Sequence, residues 1–241
     1  MDVYELIRDK FKALIYENHL EGEQVNVHVV LLTPEEAMGN PEDRDYPVIA
    51  GRERIMQAEF KGSLGHAFTD MYGNFSGSLS DIASLELKNN YCRAIFISTL
   101  NAFMRYLGLV TKSVHCRDEE PRQCSMELAR YMGEKFGQPR IALVGFQPRM
   151  LEALSAKFEV KITDLDRNNI GTQKFGLKIE EPERTAANLE WCDVALVTGT
   201  TLVNNTIGDF LIDKPVIFYG VTISGAAALL GWQNFCHQGH Q

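Results

Sequence analysis

The chain has 241 residues, 45% of them apolar and 23% charged, with a formal charge of −8 at pH 7 and a pI near 5.3. That size and mix suit a soluble globular protein of one large domain or two modest ones. The acidic balance argues against general binding to nucleic acid or anionic membrane, no run of ~18 or more apolar residues offers a spanning helix, and five irregularly spaced cysteines fit reduced thiols rather than a disulfide framework.

The N-terminal stretch MDVYELIRDKFKALIYENH has helical spacing from Val3 to Ile15 and mixed charge. It lacks the apolar centre of a signal peptide, so a cytoplasmic protein is expected. Val25–Leu32 alternates in part and reads as a strand, and polar Pro34–Pro47 as an exposed loop. Arg54–Lys61 reads as a second strand, and GSLGHAFTD as a glycine-rich turn into a third. Leu79–Leu87 and Tyr91–Leu107 look helical. The polar stretch Ser113–Gln123 leads into a helix from about Ser125 to Phe136.

From Gln138–Pro139 onward the pattern becomes regular. RIALVGF is a strand, and Pro148 opens a helix to about Lys157. EVKITDLD is the next strand, residues 167–185 are polar and irregular, and a short helix comes after them. VALVTG and PVIFYGV are strands, TLVNNTIGDFLI and AAALLGW helices. Strands alternating with helices imply a parallel sheet with right-handed crossovers.

In such a sheet ligands sit outside the carboxyl ends of the strands. The first strand there ends in GFQPRM, which has only Gly145 of a dinucleotide fingerprint, and this weakens the case for NAD or FAD. The helix start at Pro148, with Arg149 beside it, still attracts an anion. The second strand ends in Asp164 and Asp166, on one face, where acids either bond a ribose or cap the next turn of chain. Thr198, Gly199, Thr200 and Thr201 lie where strand gives way to helix. Capping by Thr200 or Thr201 explains one of them, so ligand contact by this loop, with Asn204 beyond it, is favoured. Gly220, Thr222, Ser224 and Gly225 repeat the logic, and tight helix packing explains them equally well.

His115, Cys116 and Cys124 share one polar loop, and Cys236, His237 and His240 share the C-terminal tail. Thiolate and imidazole are ligands of zinc and softer metals, but neither cluster has a CxxC or HExxH spacing. A buried thiol or a frayed terminus explains them as well. His66, after two glycines, either aims an imidazole or is structural. Asn101 sits in an otherwise apolar helix, where it must cap, bridge or touch a ligand.

The segments GHAFTD, YGNFSGSLSDI, STLNAFMRYLGL, VHCRDEEP, TGTTLVNNTIGDFL and VIFYGVTISGAAALLG, in this order, resemble the family whose C-terminal half is called a heavy-metal chelation domain. The resemblance covers nearly all of the chain. It implies an α/β protein: residues 1–112 as an α+β domain like the small N-terminal domain of enolases, and residues 113–241 as a Rossmann-like parallel-sheet domain, with a linker and helix at about 113–138. It implies a ligand pocket between the two, a homodimer, and a transition or heavy metal ion as cofactor. Gly62–His66, Asn101, Thr198–Thr201, Asn204 and Thr222 match its recurring segments. Asn205 departs from it, standing where the family has glycine.

Two functions emerge as expectations. One is a protein that binds a metal or a small molecule in the cleft, with Gly145, Asp164, Asp166, Thr198, Gly199, Thr200, Thr201, Asn204, Thr222, Asn101 and His66 at the ligand and His115 and Cys116 on a metal. In that reading the Thr-rich loop holds carboxylate or phosphate oxygens. The other is an enzyme acting on a nucleotide-like molecule, such as S-adenosylmethionine, or on a carboxylate-bearing one, with acid–base work by a residue such as His66.

Overall fold

Two hydrophobic periods organise the chain. In helix α1 (Val3–Glu17) Tyr4, Ile7, Phe11 and Ile15 recur at helical spacing and are buried, and Asp2 caps the helix by accepting from Tyr4 N. In the C-terminal part, Ile141–Leu143, Val194–Val197 and Ile217–Tyr219 are unbroken buried runs. Such runs belong to parallel strands covered on both faces. The computed structural model describes residues 2–30, 39, 41–43, 45, 46 and 53–240. Most of the stretch expected as a loop, Pro34–Pro47, lies outside these.

Strands β1 (Gln24–Val30), β2 (Arg54–Phe60), β3 (Ser63–Thr69) and β4 (Phe75–Ser78) form an antiparallel sheet ordered β3-β2-β1-β4. Helix α2 (Leu79–Ala83) starts with a capping box of Ser78 and Asp81. Helix α3 (Asn90–Tyr106) is capped by Asn89, and its residues from Cys92 to Met104 are all buried. A helix apolar on every side must be enclosed, and α3 is: it packs on β2 and β3 and, elsewhere, on helix α7 (Ser224–Leu230). Gly65 permits the close crossing, since a Cβ there would lie 2.2 Å from Ala102 N and 2.4 Å from the Ser98 carbonyl oxygen.

The second sheet joins β5 (Ile141–Val144), β6 (Val160–Thr163), β7 (Gln173–Lys174), β8 (Leu177–Glu180), β9 (Val194–Thr198), β10 (Val216–Tyr219) and β11 (Asn234–Phe235) in the order β11-β10-β9-β5-β6-β8-β7. All neighbours are parallel except β7 and β8. Helices α4 (Glu120–Phe136) and α5 (Pro148–Ser155) pack together, and their Leu128, Met132, Leu151 and Leu154 share an apolar cluster with Leu143, Leu196 and Ile217 of the sheet. Helix α6 (Thr185–Trp191) packs at β5 and β6. The other cluster is continuous from Phe11 and Phe103 to Val197, Phe218 and Ala227, so the two sheets share one core. No described helix is long and apolar enough to cross a membrane.

Several local expectations change. The segment expected as helix TLVNNTIGDFLI is two 3₁₀ turns, Gly199–Leu202 and Ile207–Phe210. Asn205 between them has φ of +61°. That left-handed backbone stops a helix and suits glycine, with Asn the next most tolerant residue. Residues 167–185 hold the β7–β8 hairpin rather than irregular chain, and the helix expected over Leu79–Leu87 stops at Ala83.

Candidate functional site

Four neighbouring parallel strands end at one cavity of about 290 Å³. The ends of β5 (Gly145), β6 (Asp164, Asp166), β9 (Thr198–Thr201, Asn204) and β10 (Gly220, Thr222) form one side. Tyr46, Glu53, Phe68, His115 and Cys116 line it as well, and Cys124 and Cys236 complete the thiol side. This is the location that strand polarity predicts. Of the residues expected at the ligand or on a metal, only His66 and Asn101 are not on its wall.

Both lie off the cavity wall and make the structural contacts that the sequence left open as the alternative to a ligand role. His66 lies within β3, not in a turn. Its Nε2 bonds Gln57 Oε1 at 2.9 Å, and its Nδ1 accepts from His115 N at 3.2 Å. Both ring nitrogens are thus engaged by neighbouring groups, and the residue does not line the cavity. Burial, then the nearby His115, lowers its pKa to about 3, so the ring is neutral. Asn101 is fully buried. Its Nδ2 faces the carbonyls of His66 (2.8 Å), Val221 and Thr222 (both 3.1 Å), and its Oδ1 accepts from Gly225 N at 2.7 Å. Here β3 is an edge strand, and an edge needs cover. His66 N donates to the Ser113 carbonyl, and Phe68 N donates to Thr222 Oγ1 at 3.1 Å. Edge groups of one sheet are thus satisfied by the chain flanking the other, with the Thr222 hydroxyl oxygen as the acceptor at that junction.

The Thr-rich loop is braced from the N-terminal part of the chain. Tyr4 Oη donates to the Leu202 carbonyl. Arg93, also buried, donates through Nε to the Val203 carbonyl. Asn90 Nδ2 reaches Asn204 Oδ1 at 3.3 Å. Thr198, not Thr200 or Thr201, caps the 3₁₀ turn, and Thr201 Oγ1 donates back to the Thr198 carbonyl at 2.8 Å. The Thr198 and Thr200 hydroxyls bond each other at 3.0 Å within the cavity wall. Gly199 fits because a Cβ would lie 2.8 Å from Ile223 N.

The anion site expected at the start of α5 is already filled. Phe146 N donates to Asp164 Oδ2 at 2.6 Å, and Met150 N donates to Gln147 Oε1 at 2.6 Å. Arg149 is held by Asp43, Asp45 and Glu152. Gly145, at φ of +92°, is a packing glycine: a Cβ would lie 2.7 Å from Thr198 Cγ2 and 3.0 Å from Tyr219 Oη. The Asp164 carboxylate also accepts from Asp166 N and Asn169 Nδ2. Asp166 accepts from Asn168 through Oδ1.

Sequence pattern gives no hint of Glu53, which precedes β2 and reaches the cavity. Burial, then the carboxylates of Asp164, Asp166 and Asp70, raise its pKa to about 7. Perturbed acids in clefts mark functional sites. No local motif flags this residue, because Asp164 and Asp166 lie about a hundred residues further along the chain.

The two Cys/His clusters converge. Val114 pairs with His240 in an isolated bridge, and His240 Nε2 bonds Glu120 Oε2 at 2.6 Å, so the C-terminal tail is tied down rather than frayed. Cys116, Cys124 and Cys236 are unpaired thiols on the cavity wall. Burial pushes all three up, Cys236 to about 12, so they are thiols and not thiolates. Burial also lowers His115 to about 4. These donors suit a soft metal. Yet among the described residues no three His, Cys, Asp or Glu side chains converge closely enough to hold a metal ion.

Residues 131–230 match the model of a family described as "Putative heavy-metal chelation" (DUF364). The fold matches the crystal structure of a protein of unknown function from that family from Pyrococcus horikoshii, with TM-score 0.57 at 16% identity over 92% of this chain and 80% of that one. A second protein of unknown function from the family, from Desulfitobacterium hafniense, matches with TM-score 0.52 at 11% identity over 73% of this chain and 72% of that one. At these identities the likeness concerns the fold. No curated protein matches the sequence.

Proposed function

With residues 131–230 matching the DUF364 family, we propose that this protein binds a small organic molecule in the cleft between its two sheets. The observation that supports this is the cavity of about 290 Å³ at the carboxyl ends of four parallel strands, a size and position typical of ligand sites. Thr198 and Thr200 offer hydroxyls, Asn204 an amide, and Glu53 and Asp166 carboxylate oxygens. Tyr46, Phe68, Phe146, Phe210 and Phe235 supply apolar area.

The metal reading has a specific ground of its own, the gathering of His115, Cys116, Cys124 and Cys236 on one wall. The donor set is soft, but the described groups do not converge on a single ion position, so a closed cage built from three of them does not fit. The cytoplasmic, homodimeric state belongs to the same proposal, and light scattering tests its second half.

Thermal-shift and calorimetric screening of untagged protein against nucleosides, amines, carboxylic acids and soft metal ions tests the reading. Stabilisation by an organic class is expected, and it should be lost when Thr200→Val and Asn204→Ala are combined. Stoichiometric uptake of metal alone, abolished by Cys116→Ser, would overturn it in favour of chelation.

A further inference from the structure

The charge of the cavity wall goes beyond its position. Glu53, Asp164, Asp166 and Asp209 line it, and no described lining residue is Lys or Arg. Three backbone donors at these strand ends are already taken: Phe146 N by Asp164, Met150 N by Gln147, and Thr200 N by Thr198 Oγ1. An anion would enter a partly desolvated space, next to carboxylates, with no counter-charge on the described wall. Coulomb repulsion at ~4 Å in such surroundings disfavours it strongly. The charge of the wall speaks against carboxylate or phosphate oxygens as the groups that the Thr-rich loop holds.

The geometry points to an organic cation as the ligand: a molecule whose ammonium group sits between Glu53 and Asp166 and whose apolar or aromatic body lies along the aromatic wall. The inference rests on the cleft being a small-molecule site. A second observation points to an occupant. Among the described residues His115 Nδ1 is buried without a partner on the same wall, and a buried polar atom left unpaired is costly. His115 packs edge-on against Phe68, with ring centroids 5.0 Å apart, and Phe68 N bonds Thr222 just after β10, whereas Asp164 and Asp166 come after β6. Three strand spacings separate β10 from β6 in the sheet, roughly 14 Å. The ligand is therefore elongated or asymmetric, with its cationic end at β6 and a polar group able to meet His115 at the other. The aromatic side chains of the lining, Tyr46, Phe68, Phe146, Phe210 and Phe235, suit a cation and its apolar body alike.

Calorimetry with a matched trio tests this: tyramine (cation), tyrosine (zwitterion) and 3-(4-hydroxyphenyl)propionate (anion). The three share an aromatic body and differ in charge. Tyramine should bind at least tenfold more tightly than the propionate, with tyrosine between. Glu53→Gln and, separately, Asp166→Asn should each weaken tyramine about tenfold or more and narrow the gap, while circular dichroism shows the fold retained. Equal or tighter binding of the propionate would overturn the charge assignment and leave the cleft as a ligand site. Binding of none of the three would overturn the organic-cation inference, and the cleft reading would then stand or fall on the wider ligand screen. A tyramine affinity unchanged in both variants would also overturn it.

Discussion

Replacing Asn101 with alanine probes how the two sheets are joined. The side chain is fully buried and lies among the carbonyls of His66, Val221 and Thr222 and the N–H of Gly225. Gly225 is in the first turn of α7, where N–H groups have no partner within the helix. The His66 carbonyl lies on the edge of β3. Alanine leaves at least these two groups buried and unpaired, at ~1–3 kcal/mol each. The vacated volume adds a smaller term. We expect a loss of about 4 kcal/mol, a large share of the ~5–15 kcal/mol that holds a typical domain. Asn101→Asp should cost more, since it keeps an acceptor for Gly225 but turns carboxylate oxygens towards three carbonyls. Urea unfolding at pH 7, followed by tryptophan fluorescence with a common m-value, measures both. A loss below ~1 kcal/mol for alanine, or an aspartate variant as stable as wild type, would refute the role given to this residue.

Other perturbations carry equally definite expectations. Glu53 has its pKa raised from 4.5 to about 7, so the folded state holds a proton that the unfolded chain releases. Its contribution is present below pH 4.5 and is lost as pH rises through 7. At ~1.4 kcal/mol per pKa unit this is at most roughly 3.5 kcal/mol, and Glu53→Gln should remove that decline when the two proteins are compared at about pH 5 and 8. His66 is opposite in sign. Its pKa is lowered from 6.5 to about 3, so stability falls as pH drops across that range, and Glu53→Gln/His66→Gln against Glu53→Gln isolates the effect in acid unfolding. Gly145→Ala should cost ~2–4 kcal/mol by urea unfolding, from the left-handed φ and the overlap with Thr198, and a neutral result would contradict the packing role. The thiols of Cys116 and Cys124 should react with Ellman's reagent at about pH 7.5 far more slowly than in urea, because burial keeps them protonated.

The acidic composition, the strands from Ile141 onward and the Thr-rich loop were legible in the sequence because each is a local property. Apolar runs ending in Gly and Thr mark strand ends, and strand ends of a parallel sheet mark the cleft. The resemblance places glycine where this chain has Asn205, and the positive φ there gives its reason. What no local pattern contains is which groups meet. Asn101 and His66 carry the same polar signal as Thr200, yet they face carbonyls and amides of distant segments rather than the cavity. Glu53 looks like any surface acid until the fold brings Asp164 and Asp166 beside it. The Cys116 and Cys236 clusters are separate weak signals until the C-terminal tail pairs with Val114. The order of residues sets which chemical groups are available and their period along the chain. Only long-range packing decides whether a polar group is spent on holding the sheets together or left facing the cleft, because that depends on partners far away in the chain and on the water excluded between them.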